Sequence, residues 1–380
     1  MNWPQPLLRF GDRICGPGAR AAVWRLLEVP ARRAFRGQLA HTPLTPRRDA
    51  PLLNYGGAPG RDGLIHGGRV KLTHLAGLFP ETASDFNLLY LVSSAPPRFA
   101  SDLVEWAKAR GVKFVWNQNG VAYPAWRGAR SEEINGPMRA LRQQADFIFN
   151  QSEFCRLCAD RFLGPIATTG EIAFNCVDTD LFHPGPAPDA GVCRLLAAGS
   201  HHESYRIFAL LDAVAELVRR KFPVQLHLAG RLAWPDAVRE VREKIRALGL
   251  GAQIEWGAPY RQEDAPTIYQ VAHILVHLKY KDPCPTVPIE AMACGVPVIG
   301  SRSGGMPELV TPEAGVLLEV AESWEKNHWP DAVATADAVE TVMERWNDFS
   351  AGARSHAAAR FSKIGWLAQH ARVFTALLAS

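Results

Sequence analysis

The sequence predicts an α/β protein of two domains, each built on a parallel sheet with helices packed against it. The chain has 380 residues, which is enough for two separate hydrophobic cores. Short apolar runs rich in β-branched residues alternate with longer helical patterns, as repeated β-α units require. A Pro- and Gly-rich stretch at residues 185–191 separates two such series. We therefore expect a linker there, with domains at residues 51–184 and 192–365.

The bulk composition is that of an ordinary globular protein. Hydrophobic residues make up 47% of the chain and charged residues 21%, and the net charge of +4 is too small to predict nucleic-acid binding. No segment approaches the ~20 consecutive apolar residues of a membrane span, and the N-terminus lacks the apolar core of a signal peptide. Seven cysteines with scattered spacing indicate a reducing compartment, so we expect a cytoplasmic protein.

The first 50 residues are predicted to form a basic N-terminal extension. They contain nine arginines against Asp12, Glu28 and Asp49, and residues 19–36 have an amphipathic helical pattern. Two interpretations remain open. The extension is either a solvated arm or a basic surface that contacts anionic lipid at the inner face of the plasma membrane.

The first domain opens with paired glycines and places polar residues at a strand end. Gly67 and Gly68 precede a helical run at residues 69–75, and Asn119 follows a strand at residues 112–116. Because α/β sheets bind ligands at the carboxyl ends of their strands, Asn119 is a candidate site residue. The other elements predicted in this domain are strands at residues 87–92 and 145–149 and a helix at residues 102–110.

The second domain contains the most informative stretch, residues 279–310. Asp282 lies in a loop that follows a buried strand, and Pro288 suits the first turn of the helix that carries Glu290. Gly304 and Gly305 then form a turn into the next helix. The other elements predicted here are strands at residues 195–199, 225–229, 272–278 and 296–299 and a helix at residues 205–221.

Two carboxylates and a glycine turn at one sheet edge predict a nucleotide-sugar pocket. A carboxylate accepts hydrogen bonds in pairs, which suits the neighbouring hydroxyls of a ribose or a pyranose. Backbone N–H groups of glycines at a helix start suit a phosphate. The alternative is that Glu290 only caps a helix and that Asp282 is a solvated loop acid.

The stretch from Asp282 to Glu290 resembles the E-x7-E region of retaining, GT-B-fold glycosyltransferases of family 4. Asp282 replaces the first Glu, Glu290 is the second, and the phrase at residues 282–285, Asp-Pro-Cys-Pro, is similar to that of a bacterial subgroup. The resemblance covers roughly residues 60–378. It implies two Rossmann-like domains that face each other across a cleft, with a final helix at residues 366–380 that crosses back to the first domain.

The resemblance implies roles for residues of the second domain. Glu290 would hold the ribose hydroxyls and Asp282 the hydroxyls of the donor sugar, where its shorter side chain retracts the carboxylate. The neighbouring donor-binding positions are Cys284, Thr286, Gly304 and Gly305.

Phosphate neutralisation departs from the family pattern. Family members usually carry an Arg directly after the glycine that ends the first strand of the second domain, and a Lys five residues later. Here Ser200 and Tyr205 occupy those positions after Gly199. Arg206 and Arg231 are therefore the candidates for a diphosphate clamp, because a guanidinium grips phosphate oxygens in pairs.

In the first domain the resemblance points to three residues. Gly67 and Gly68 match the glycine loop that approaches the donor phosphates across the cleft, although a plain tight turn is the alternative. Asn119 stands where many members have a His near the donor sugar. An Asn can donate and accept hydrogen bonds but cannot act as a base near neutral pH.

The implied activity is sugar transfer from a nucleoside diphosphate sugar to a carbohydrate or lipid-linked acceptor, in envelope or exopolysaccharide synthesis. No cofactor and no metal are expected: the D-x-D spacing of residues 178–180 is accounted for by a family junction phrase, and Cys155 and Cys158 are more typical of buried helix cysteines than of half a metal site. Two alternatives remain open, a nucleotide-sugar epimerase of the same fold and a binding protein without catalysis.

Overall fold

The computed structural model describes residues 17–47, 49–57, 68–189 and 191–379, with side chains omitted at residues 17–27 and 68–69. The predicted site residue Gly67 lies outside the described residues, as do the basic residues Arg9, Arg13 and Arg48.

The described residues of the N-terminal half form one parallel sheet in sequential strand order. Its strands are β1 (Leu53–Asn54), β2 (Leu88–Val92), β3 (Lys113–Gln118), β4 (Phe147–Asn150) and β5 (Gly170–Ile172). The helices of this half are α1 (Pro17–His41), α2 (Gly68–Leu78), α3 (Ala100–Lys108), α4 (Pro124–Arg127), α5 (Ser131–Arg142) and α6 (Glu153–Leu163). Every residue of β2 and β4 is buried, because helices cover both faces of the sheet.

The C-terminal half forms a second parallel sheet, with strand order β10-β8-β6-β11-β12-β13, and a small pair of strands, β7-β9. Its strands are β6 (Cys193–Ala197), β7 (Ser200–His201), β8 (Val224–Leu228), β9 (Arg231–Leu232), β10 (Ile254–Trp256), β11 (Ile274–His277), β12 (Val298–Ser301) and β13 (Gly315–Leu318). The helices are α7 (Ser204–Arg219), α8 (Ala237–Ala247), α9 (Ala265–Gln270), α10 (Thr286–Ala293), α11 (Met306–Leu309), α12 (Ala332–Glu344), α13 (Trp346–Arg360) and α14 (Lys363–Ala379).

Local sequence signals explain where several of these helices begin and end. The Ser152 hydroxyl accepts a hydrogen bond from the Cys155 amide (3.0 Å) and so caps α6, and Asp331 caps α12 in the same way. Pro288 lies in the first turn of α10, where a missing amide hydrogen costs nothing. Gly295 has a φ of +75° just past the end of α10, which a glycine adopts without strain.

The last helix, α14, packs against the first sheet rather than the second. The Tyr90 hydroxyl on β2 lies 3.1 Å from His370 Nε2, and the Phe79 and Phe374 rings meet edge to face at 5.4 Å. At the start of α14, the Val177 amide donates to the Phe361 carbonyl and the Val177 carbonyl accepts from the Lys363 amide. The chain therefore returns to the first domain at its end.

The N-terminal helix α1 packs against α3 of the first domain. Arg32 and Arg36 both donate hydrogen bonds to the buried carboxylate of Asp102, with nearest contacts of 2.5 Å. The rings of Phe35 and Phe99 lie 5.6 Å apart beside this cluster. Among the described residues, no helix is both long enough and apolar enough to cross a membrane.

Candidate functional site

Loops from the carboxyl ends of both sheets meet between the two domains. Ser152, after β4, donates a hydrogen bond from its hydroxyl to the Pro283 carbonyl (2.6 Å), after β11. A methyl group added at Gly120, after β3, would lie 3.1 Å from the Pro283 ring. The edge at which parallel sheets bind ligands is therefore shared by the two halves of the chain.

Asp282 lies in the loop after β11 as a buried carboxylate with two donors. Its Oδ2 lies 3.0 Å from Lys279 Nζ and 3.3 Å from His277 Nε2. Burial works against the charged form, but the Lys279 charge and the His277 hydrogen bond hold the pKa of Asp282 well below its usual range. Burial also lowers the pKa of His277 to about 4, so its imidazole is neutral at pH 7 and donates from Nε2.

Glu290 lies on α10 in different surroundings. Its Oε1 accepts a hydrogen bond from Gln262 Nε2 (2.5 Å) and its Oε2 accepts one from the Tyr269 hydroxyl (2.8 Å). Burial raises the pKa of Glu290 to about 7 in spite of these two donors. Asp282 and Glu290 share no hydrogen-bond partner among the described residues, so they are not a directly paired acid site.

Arg206 is a buried guanidinium with unused hydrogen-bonding capacity. On α7, its Nη1 donates to the Ser200 carbonyl (3.3 Å), while its buried Nε has no partner among the described residues. Burial lowers the pKa of Arg206, and the negative charge of Asp282 is the largest opposing influence. Beside it, both ring nitrogens of the buried His201 are also without partners. Buried polar groups with unused hydrogen-bonding capacity therefore lie near Asp282, and leaving such groups unpaired is costly.

Beside Arg206, backbone pairing joins the segment of Gly199 and Ser200 to Arg231. Ser200 pairs with Arg231 in the small two-stranded sheet, and the Arg231 amide donates to the Gly199 carbonyl (3.1 Å). Gly230 approaches so closely that a methyl group there would lie 2.0 Å from the Gly199 oxygen. Tyr205 stands where the family pattern has a Lys but carries no positive charge. Its hydroxyl accepts the Tyr280 amide hydrogen (2.9 Å).

The glycine turn packs against the Asp282 loop, and the Gly305 amide is already bonded to that loop. The Gly305 amide donates to the Asp282 carbonyl (2.8 Å), so it is not available for a phosphate as the sequence suggested. Methyl groups at Gly304 and Gly305 would lie 2.6 Å from the Asp282 oxygen and 2.1 Å from the Pro283 oxygen. The chain needs glycine at both positions because backbone packs on backbone.

Cys284 and Thr286 accept hydrogen bonds from Asn175 of the first domain. The Asn175 side chain donates to the Cys284 carbonyl (2.5 Å) and to the Thr286 hydroxyl (3.2 Å). The Asn175 amide also donates to the Cys284 thiol (3.2 Å), whose pKa burial raises to about 12. Both residues thus anchor the Asp282 loop across the domain junction.

The first domain supplies Asn119 and a lysine that the sequence interpretation missed. Gly68 begins α2, and three residues later Lys71 lies buried with its ammonium bonded to Asn117 Oδ1 (2.8 Å) and Asn119 Oδ1 (3.0 Å). Its position one turn after the paired glycines was the signal that could have identified it. Cys284 of the second domain is close enough to influence the pKa of Lys71.

Of the residues weighed for metal binding, Asp178 and Cys155 have other hydrogen-bond partners. Asp178 is bonded by Lys363 and by the Asp180 amide, which ties the junction to the start of α14. Cys155 and Cys158 are buried on α6. Within the described ranges no group of three potential metal ligands occurs.

Comparison with known proteins connects this geometry to a family. Residues 191–342, which contain all six strands of the second sheet, match the model of the family "Glycosyl transferases group 1". A D-inositol 3-phosphate glycosyltransferase of Mycobacterium leprae is 28% identical over 172 residues, which are 43% of this chain and 39% of that protein. The enzyme of the same name from Corynebacterium diphtheriae is 30% identical over 139 residues, 36% of this chain and 30% of that protein. The chain thus aligns with less than half of the length of these relatives.

Solved structures share the fold over most of the chain. Sucrose-phosphate synthase from Thermosynechococcus elongatus matches with a TM-score of 0.70 and 18% identity, over 88% of this chain and 100% of that chain. Anabaena HepE in complex with UDP and glucose matches with a TM-score of 0.62 and 18% identity, over 77% of this chain and 78% of that chain. Together with the two parallel sheets, these similarities confirm the predicted α/β fold of two Rossmann-like domains, the GT-B fold.

Proposed function

We propose that this chain is a retaining glycosyltransferase that moves a sugar from a nucleoside diphosphate sugar to an acceptor hydroxyl. The observation that carries the proposal is the buried Arg206 guanidinium, whose Nε has no partner among the described residues and whose pKa is influenced by the charge of Asp282. A cation with a free donor beside an ionised acceptor suits a diphosphate joined to a hydroxyl-rich sugar.

The proposed roles follow from the charge of each side chain. Arg206 and Arg231 neutralise the departing diphosphate, and stabilising this leaving group is the main catalytic contribution. Asp282 accepts hydrogen bonds from the donor sugar, and Glu290 accepts them from the ribose in exchange for those of Gln262 and Tyr269. We propose a site that uses no metal, because cationic side chains supply the positive charge that a metal would bring.

The relatives suggest the first ligands to test. HepE was solved with UDP and glucose, and the curated relatives are named for D-inositol 3-phosphate. UDP-glucose is therefore the first donor, and polyol phosphates and lipid-linked glycans are the first acceptors. Envelope or exopolysaccharide synthesis at the cytoplasmic side of the membrane is the setting that we propose.

Contact with anionic lipid would use the arginines of α1 that are not engaged within the protein. Arg32 and Arg36 are bonded to Asp102, whereas Arg33 is exposed. We expect the protein to sediment with phosphatidylglycerol vesicles and not with phosphatidylcholine vesicles. Equal recovery with both would argue against this part of the proposal.

The central test is donor binding followed by turnover. Thermal shifts with UDP-, GDP- and ADP-sugars identify the donor, and release of the nucleoside diphosphate with acceptors then measures transfer. Arg206→Met should lower kcat/KM at least about tenfold, since a charged hydrogen bond contributes ~1.5–3 kcal/mol. The exposed Arg219 on the same helix gives the matched control, Arg219→Met, which should keep full activity.

Two other outcomes would select the alternatives. Tyr205 and Asn119 stand where the family has Lys and His, and this favours the binding-protein alternative. That alternative predicts nucleotide binding without turnover for any acceptor. Conversion of the donor sugar in the absence of an acceptor would instead indicate an epimerase.

A further inference from the structure

The buried lysine of the first domain is a cation without an acidic partner. Lys71 is 4% exposed, and no carboxylate of the described residues lies within ion-pair distance of it. The titratable groups near it are the thiols of Cys284, Cys155 and Cys176 and the imidazole of His370. The thiols are protonated at pH 7 because burial raises their pKa values to about 12, and the imidazole is neutral because burial lowers its pKa to about 3. A buried ammonium of this kind is costly unless an anion joins it.

A chain of hydrogen bonds determines which groups face the ammonium. The Asn117 amide nitrogen donates to the Tyr90 hydroxyl (2.8 Å), which lies 3.1 Å from His370 Nε2. His370 Nδ1 lies 2.8 Å from the Trp366 carbonyl, so the neutral ring donates there and accepts from Tyr90. Asn117 must therefore present its oxygen to Lys71, and the last helix holds it in that orientation.

The second acceptor is fixed in the same manner. The Asn119 amide nitrogen donates to the Ser94 hydroxyl (2.5 Å), which leaves its side-chain oxygen for Lys71. An ammonium has three N–H bonds and the described residues accept two of them. One N–H is therefore left for a further acceptor.

This ammonium lies at the junction where the donor site is proposed. Asn119 adjoins Gly120, which lies against the Pro283 ring, and the Cys284 thiol is close enough to Lys71 to influence its pKa. Pro283 and Cys284 follow Asp282 in the same loop. For an anionic ligand bound beside Arg206 in the cleft, Lys71 of the first domain would be a second cation.

We propose that Lys71 binds the diphosphate of the nucleotide donor from the first domain, so that cations of both domains hold the anion. The proposal rests on the proposed function, because it takes the ligand to be a nucleoside diphosphate. It assigns to the first domain a side-chain contribution in addition to the backbone of its glycine loop. Closure of the domains is then coupled to the charge of the ligand.

The test compares UDP with uridine, which lacks the phosphates. Titration calorimetry at pH 7.5 should show that Lys71→Met raises the Kd for UDP about tenfold or more and leaves the Kd for uridine unchanged. Lys71→Arg, which restores the charge, should bring the Kd for UDP back to within about threefold of the wild type. Lys221→Met, the same change at an exposed lysine, should have no effect.

The pH dependence separates binding from a structural role. Burial lowers the pKa of Lys71 to about 8, so the free protein loses this charge as the pH rises above that value. The Kd for UDP should therefore increase about threefold between pH 7.5 and 8.5, a range in which the phosphate itself, with a pKa of ~6, is fully ionised. In Lys71→Arg this increase should disappear.

The outcomes distinguish the inference from its premise. Wild-type protein that binds no nucleotide would end the proposed function itself. Equal Kd values for UDP in the wild type and in Lys71→Met would overturn only the role of Lys71. An effect confined to the KM of a phosphorylated acceptor, absent for its dephosphorylated form, would also overturn it by assigning Lys71 to the acceptor phosphate.

Discussion

At the scale of single residues, the two acids differ in charge because their neighbours differ. Asp282 has the Lys279 ammonium and the neutral His277 ring as donors, so it is ionised throughout the physiological range. Glu290 has only the neutral donors Gln262 and Tyr269, so burial dominates and its pKa approaches neutrality. The sequence placed both acids at the ligand edge but could not show this contrast. The donors of Glu290 lie 28 and 21 residues away from it in the chain.

Glu290 should make stability depend on pH in a predictable direction. Its folded pKa is about 7, above the ordinary value of 4.5, so protonation stabilises the fold below pH 4.5 and this stabilisation is lost as pH rises through 7. Glu290→Gln should therefore be more stable than the wild type at pH 8.5, by about 1–3 kcal/mol, and not at pH 5. Urea unfolding at both pH values measures the difference.

The control for this prediction is Glu325→Gln, because Glu325 is exposed. This variant should follow the wild type at every pH. Identical slopes of stability against pH for Glu290→Gln and the wild type would show that Glu290 is already ionised in the folded protein.

At the scale of elements, the strands could be predicted closely and their loops could not. Apolar runs at residues 195–199, 225–229 and 272–278 became strands with ends shifted by no more than two residues, because buried parallel strands need continuous β-branched and aliphatic sequence. The turn at Gly304 and Gly305 was also predicted. The packing of this turn against the carbonyls of the Asp282 loop was not predicted, because that loop is a separate segment of the chain.

Gly305→Ala should therefore disturb the Asp282 loop. The new methyl group would meet the Pro283 carbonyl at 2.1 Å, and the loop must move. We expect a loss of about 1–3 kcal/mol in unfolding free energy, as for other overpacked sites, together with weaker donor binding. Gly251→Ala is the matched control, because a methyl group there meets nothing within 4 Å. Equal melting temperatures for the two variants would refute the packing argument.

At the scale of the whole molecule, contacts between distant segments fix how the domains meet. Trp324, after β13, stacks on Phe154 of α6 with ring centroids 6.0 Å apart, and its carbonyl accepts the Ala125 amide hydrogen (2.7 Å). The Lys281 ammonium lies 4.0 Å from the same ring. Sequence patterns predicted two domains and the family resemblance implied a returning helix, but no periodic signal identifies one tryptophan that joins the domains.

Trp324→Ala should loosen the closed arrangement of the two domains. Loss of the ring removes the contacts with Phe154 and Lys281, so we expect a larger radius of gyration in solution scattering and a fall of about 1–3 kcal/mol in stability. Trp256→Ala, at an exposed ring on β10, should leave the scattering profile unchanged. Identical profiles for both variants would show that Trp324 does not hold the domains together.

We propose that one crevice between the two sheets binds a nucleoside diphosphate sugar. A crystal structure of the protein soaked with UDP tests it most directly. The account predicts the ribose hydroxyls at Glu290 and the diphosphate within hydrogen-bond distance of Arg206, with Lys71 on the side of the first domain. A nucleotide bound elsewhere, or one whose phosphates point away from Arg206 into solvent, would contradict it.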